Sequence, residues 1–157
     1  MTLLRRLESS FEEAFLIASL IVMVLLIFTQ VVLRAFHMSI VWIEELARYI
    51  MLYQIWIGAA YAVKESAHIR ITSFRDRLPE EKKRRLEILV MAIFLVFSLW
   101  LSIRGIQLCH IQAHIGQRSP ALQLPMVIPY ASVPLGGILM SLRLLQRLDH
   151  LLKGEVF

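Results

Sequence analysis

The sequence predicts an all-α integral membrane protein: four transmembrane helices in a single domain, an amphipathic N-terminal lead-in and a long, tilted third helix. Three observations carry this reading. Of the 157 residues, 58% are hydrophobic and 18% charged, where an ordinary soluble domain has about 45–50% and about 25%. Uncharged apolar runs of membrane-spanning length recur along the chain. The basic residues lie between and beside those runs. So few charges cannot coat a water-facing surface, which excludes a soluble globular enzyme and a disordered chain. A single cysteine excludes an intramolecular disulfide framework and a multi-cysteine metal site. A net charge of +5 would suit nucleic acid, but its placement beside apolar runs assigns it to lipid headgroups and topology, and no nucleic-acid partner is expected.

A hydrocarbon core about 30 Å thick needs about 20 helical residues. Residues 14–33 carry no charge and supply the first span, 14–34. Before it, Leu4, Leu7, Phe11 and Phe15 recur at helical spacing with charges between them, the pattern of an amphipathic segment at a membrane surface. Arg5-Arg6 ahead of an apolar run also opens a signal peptide. Glu8, Glu12 and Glu13 intervene, however, and no small-residue cleavage pattern follows, so a retained span is expected.

The second apolar run, 49–63, is too short to cross alone. It reaches span length, 40–64, only by starting near Ile40, which brings Glu44, Glu45 and Arg48 to the membrane with Trp42 and Tyr49 beside them. Charges at membrane depth cost several kcal/mol and normally face protein or water. Glu44 and Arg48, four apart, share a helix face and can pair, and Arg48 is also within reach of Glu45. The cluster reads either as an interfacial belt anchored by Trp42 and Tyr49 or as a lock for helix packing or a partner subunit.

The loop 64–87 follows. His68-Ile69-Arg70-Ile71 alternates polar and apolar residues, as an extended or interfacial segment does. Pro79-Glu80-Glu81 has the chemistry of a helix start, and Glu80 to Arg84 and Glu81 to Arg85 are favourable pairs. No breaker then appears before Gly105, so one helix is expected from Pro79 to about His114, containing the third span at 86–106. Lys82, Lys83, Arg84 and Arg85 are candidate contacts to lipid headgroups. Near its far end, His110 and His114 stand at a spacing that can hold one metal ion. A zinc site wants three or four protein ligands and no acidic partner lies nearby, so polar packing is the expected role and no metal or cofactor is expected.

Between 119 and 142 no charge occurs, but Pro120, Pro125, Pro129 and Pro134 fall within 15 residues. Each proline in a helix removes a donor and opposes the carbonyl four residues back. A non-helical approach over about 116–124 is therefore expected, then a fourth span at 125–145 starting near Pro125 with a kink near Pro134. Gly136 and Gly137 permit close backbone contact with a neighbouring helix. Pro125, Pro134, Gly136 and Gly137 are candidates for packing or for a surface shaped to another protein.

Thirteen of the 17 lysines and arginines lie before the first span, in the 64–87 loop, or from Arg143 at the end of the fourth span onward. The positive-inside rule puts both termini and that loop in the cytoplasm.

The ordered set resembles the small membrane subunit, the DctQ-type small permease, of tripartite ATP-independent periplasmic (TRAP) transporters. It comprises Trp42 with Glu44-Glu45 and Arg48-Tyr49, then Gly58-Ala59-Ala60, His68-Ile69-Arg70-Ile71, Ser119-Pro120-Ala121-Leu122, Pro125, Tyr130 and Pro134-Leu135-Gly136. Arg70 departs from the acidic or polar residue the family often carries near the His-Ile pair. The resemblance implies a multi-pass protein of the bacterial inner membrane that associates with a large multi-span subunit bearing the substrate and sodium sites. It also implies a periplasmic binding protein, a transient partner, delivering an organic acid such as a C4-dicarboxylate or sialic acid, and uptake driven by sodium without ATP. The small subunit would then be a scaffold whose periplasmic edge helps dock the binding protein. The residues agree with an accessory role: a transporter builds its site at the midplane from paired broken helices, whereas here the charges sit at span ends and a single span is broken.

The competing reading is a haem-carrying anchor of a redox complex, with His37, His110 and His114 as axial candidates; none of them lies within an apolar span. No nucleophile–base pair points to an enzyme. An efflux protein of four short spans would keep an acidic residue inside span one, whose polar residues here, Thr29 and Gln30 among them, include none.

Overall fold

The computed structural model describes residues 2–64 and 80–152, with the side chains of residues 12–63, 82 and 85–149. The alternation at 68–71 and the proline at 79 lie outside the described residues, as do the side chains of Leu4, Leu7, Phe11, Glu80, Glu81, Lys83 and Arg84. The order of elements is α1 (Thr2–Ala35), α2 (Val41–Lys64), α3 (Glu80–Ile115), a short α4 (Val127–Tyr130) and α5 (Ser132–Leu152). No strand occurs among the described residues, so the fold is all-α there.

The N-terminal lead-in is not a separate element. The backbone of α1 runs unbroken for 34 residues, so the segment forms its first turns. α3 is 36 residues long, about 54 Å at 1.5 Å per residue, and spans the breaker-free stretch of the sequence. Three stretches are long and apolar enough to cross a membrane: Glu12–Ala35, Arg85–Ile115 and Val127–Asp149, with mean hydropathies of 2.8, 2.5 and 1.4. On this measure the expected four become three. α2 is not short, since its 24 residues extend about 36 Å; Glu44, Glu45, Arg48 and Gln54 lower its hydropathy.

A tight turn joins α1 to α2. Met38 N–H donates to Leu33 O (2.9 Å) and His37 N–H to Arg34 O (3.0 Å), the paired bonds of a Schellman cap. His37 takes the left-handed conformation (φ 58°) that such a cap demands of its closing residue. α1 then packs antiparallel on α2, as Gln30 meeting Glu44 and Ser19 meeting Gln54 show. α5 packs on both α2 and α3, giving the order α1, α2, α5, α3 across the bundle. The core where the inner three meet is Ala60 and Val63 of α2, Met91 of α3, and Met140 and Leu144 of α5.

Small residues set these approaches. A Cβ at Gly136 would collide with Trp56 of α2, one at Gly137 with Ser102 Oγ of α3, and one at Gly105 of α3 would sit 2.8 Å from Pro134 Cδ of α5. Hydroxyls fill the α3–α5 seam. Ser98 Oγ and Ser141 Oγ share a hydrogen bond of 2.8 Å, while Ser102 donates to Ser98 O and Ser141 to Gly137 O. Each buried hydroxyl thus finds an acceptor, as burial requires.

The helix interruption falls at Ala131, between α4 and α5, three residues ahead of the kink expected at Pro134. The reason is local: Pro134 lacks the N–H that would bond Tyr130 O, and its ring opposes that carbonyl.

Candidate functional site

The charged side chains that tie the bundle together collect at its two ends. At the end bearing the α1–α2 turn, α3 stops at Gly116, whose positive φ of 67° closes the helix as a glycine can. The next ten residues form a compact hairpin. Ser119 N–H donates to Leu124 O (2.8 Å) and Met126 N–H to Gln117 O (2.9 Å), while the Ser119 hydroxyl, fully buried, accepts from Leu124 N–H (3.1 Å). Pro120 and Pro125 have no N–H to contribute, so the ladder is carried by their neighbours. The expected non-helical approach is therefore an ordered structure of its own.

Glu45 fastens this hairpin to α2. It is 8% exposed; its Oε2 accepts from Ala121 N–H (2.8 Å) and Leu122 N–H (3.1 Å), and its Oε1 accepts from the Tyr49 hydroxyl one helical turn on. The Tyr49 oxygen also lies 3.6 Å from Met126 Sδ. A second tie comes from Tyr53, whose hydroxyl donates to Ile128 O at 2.6 Å. Three successive turns of α2 thus hold the chain that leads into α5.

Glu44 faces the other way, towards α1. Its Oε1 accepts from Arg34 Nη2 (2.8 Å) and Gln30 Nε2 (3.2 Å). The expected Glu44–Arg48 pair does not form: Arg48 is exposed, and the carboxylate takes the arginine that the tight turn brings alongside. Trp42 points outward, 44% exposed.

At the opposite end, α5 carries two arginines that tie the other helices together. Arg143 Nη2 donates to Glu12 Oε1 of α1 at 2.6 Å, with both side chains buried. Arg147 reaches Glu87 of α3 at 3.2 Å and Val63 O near the end of α2 at 3.4 Å. Over α2, Glu12 and Arg143 line a groove of about 490 Å³ together with Phe15, Tyr53, Ile57 and Leu139.

Of the sequence-derived candidates, the fold joins Glu45 and Tyr49 to the hairpin. It buries Pro134, Gly136 and Gly137 inside the bundle and leaves Trp42, Arg48 and Pro125 on its outer surface. Lys82 and Arg85 are exposed on the first turns of α3. The sequence reading missed Gln30 and Arg34 as partners of Glu44, and took Arg143 and Arg147 for topology charges. An acid at residue 12 and bases at 143 and 147, each bordering an apolar run, were the available signal. His110 and His114, expected to pack, are exposed on α3.

Residues 23–154 match the family model described as the DctQ component of tripartite ATP-independent periplasmic transporters. The isethionate TRAP transporter permease protein DctMQ of Oleidesulfovibrio alaskensis is 33% identical over 149 residues, covering 90% of this chain and 24% of that protein. The sialic acid TRAP transporter small permease protein SiaQ of Vibrio cholerae is 33% identical over 112 residues, 71% of this chain and 64% of that one. The C4-dicarboxylate TRAP transporter small permease protein DctQ of Rhodobacter capsulatus is 31% identical over 108 residues, 69% and 48% respectively. The chain thus spans less than two thirds of the length of each of these three relatives.

Proposed function

Because the chain belongs to the DctQ family, the small membrane subunits of TRAP transporters, and is no enzyme, we propose that it is the scaffold of such a transporter: a rigid unit that braces a large multi-span membrane subunit. The observation that carries this is how the buried charges are used. Glu45 holds the hairpin and Arg143 holds Glu12, so each charge ties one part of this chain to another. A gated pathway would instead need polar groups and broken helices facing one another at mid-membrane.

α2 is the second of four spans, with Glu45 sheltered by the hairpin and Glu44 paired to Arg34 of α1. α3, longer than a bilayer's hydrocarbon core is thick, tilts or projects. Both termini and the 64–87 loop are cytoplasmic by the positive-inside rule, with Lys82 to Arg85 against anionic headgroups of the bacterial inner membrane. The apolar outer faces of α1 and α3, rich in exposed residues such as Phe28, Val31, Val96 and Trp100, are available to the large subunit and to lipid, and Trp42 and Arg48 flank the contact. The hairpin end, on the periplasmic side, is where a substrate-binding protein docks transiently. Names of the relatives point to sialic acid, C4-dicarboxylates and isethionate as the kind of anion carried, and sodium coupling would reside in the large subunit.

Affinity purification in mild detergent tests this reading. One large hydrophobic partner should copurify in fixed ratio, and proteoliposomes holding this subunit alone should not transport. A chain that is monodisperse alone and moves an organic acid unaided would overturn it.

A further inference from the structure

His110 and His114 lie four residues apart on α3, stacked on one helix face. Their Nε2 atoms are 3.2 Å apart, the rings are inclined at 65° with centroids 4.4 Å apart, and both side chains are exposed. Two neutral imidazoles at this separation share one proton, with one nitrogen donating to the other's lone pair.

The same separation suits a metal ion in place of that proton. Zinc binds imidazole nitrogen at about 2.0–2.1 Å. Two such bonds across the observed 3.2 Å meet at an angle of about 99–106°, near the tetrahedral value that zinc adopts. To hold the ion, the two rings must turn their lone pairs to a common point. We propose that His110 and His114 form a two-histidine chelate for a zinc ion at the exposed end of α3.

The protein supplies two ligands here. Among the described residues no group of three or more His, Cys, Asp and Glu gathers at one point, and neighbouring Cys109 is partly buried, about 100° round the helix from His110. Water fills the other positions, so the site is open and of modest affinity.

The test is a zinc titration of the full chain, without a histidine tag, in detergent, read by competition with a chromogenic zinc indicator and by NMR of imidazole nitrogens. One zinc should bind per chain and perturb two histidines. His110→Ala and His114→Ala should each weaken binding about tenfold or more, since each removes half of the protein's ligands. A variant with His37, His68 and His150 all replaced by Ala should bind as the parent does. The proposal is overturned if no zinc binds up to millimolar concentration, if neither single substitution weakens binding, or if the triple variant loses it. Circular dichroism of each variant separates loss of the ligand from loss of the helix.

Discussion

Glu45 is the residue on which the hairpin end depends, and its role differs from that of Glu44 beside it. Its carboxylate accepts two backbone N–H groups and one hydroxyl in a buried setting. Removing an acceptor there leaves donors without partners, at about 1–3 kcal/mol for each buried group. Glu45→Ala should therefore free the 118–125 segment and lower thermal stability in detergent. Glu45→Gln, which keeps one carbonyl oxygen for the two N–H groups, should lose less; a cysteine at Gln123 reporting thiol accessibility would separate the two. Glu44, half-exposed in its pair with Arg34, should tolerate Glu44→Gln with a loss below about 1 kcal/mol. The Glu12–Arg143 pair sets a different test, because both side chains are buried. Breaking a buried pair strands a charge, at about 3–5 kcal/mol, whereas replacing both partners by apolar residues is often neutral. Arg143→Met alone should destabilise strongly, and Glu12→Leu with Arg143→Met should recover most of the loss in a double-mutant cycle followed by thermal unfolding.

Among the elements, α5 is the one on which both α2 and α3 pack, and its glycines decide how closely they approach. A Cβ at Gly136 meets the Cβ and backbone of Trp56, atoms that cannot swing aside. Gly136→Ala should force α2 and α5 apart and cost about 1–3 kcal/mol, the usual range for overpacking. Gly58 on α2 is the control: the nearest atom to an added Cβ is Leu16 Cδ2 at 3.9 Å, an ordinary contact, and alanine improves helix propensity by about 1 kcal/mol. Gly58→Ala should leave the melting temperature in detergent unchanged or higher, and Gly136→Ala should lower it. Helices of this kind were legible in the sequence because their signals are local. The run without a breaker defines α3, and the prolines exclude a regular helix before Val127. The pairings were not legible. Arg143 and Glu12 stand 131 residues apart, and the spacing rule that joins Glu44 to Arg48 knows nothing of Arg34, which only the Schellman turn brings close. Nor could proline counting foresee that the non-helical stretch would close on itself through Ser119 and be pinned by Glu45.

At the scale of the whole molecule, the helices lie in the order α1, α2, α5, α3, with ties at both ends of the row and apolar faces along its flanks. Such a body keeps its charged ties at the ends of the bundle and apolar residues along its flanks, the distribution expected of the proposed brace. The charges of α2 keep its hydropathy below that of its neighbours, and its crossing can be tested through the turns on either side. With Cys109 replaced by Ser, single cysteines at Met38, Arg85 and Gln123, all exposed positions, would be treated in spheroplasts with a membrane-impermeant thiol reagent. Only α2 and the 64–87 loop separate Met38 from the start of α3, and α3 alone separates Arg85 from Gln123. If every long helix crosses and the basic loop faces the cytoplasm, the cysteines at 38 and 123 should label at once and the one at 85 only after permeabilisation. Labelling at 123 alone would put Met38 and Arg85 on the same side and remove α2 from the spans. The reverse pattern, 85 before the other two, would keep four crossings and invert the molecule, turning the hairpin and the Glu45 tie towards the cytoplasm, out of reach of any periplasmic binding protein.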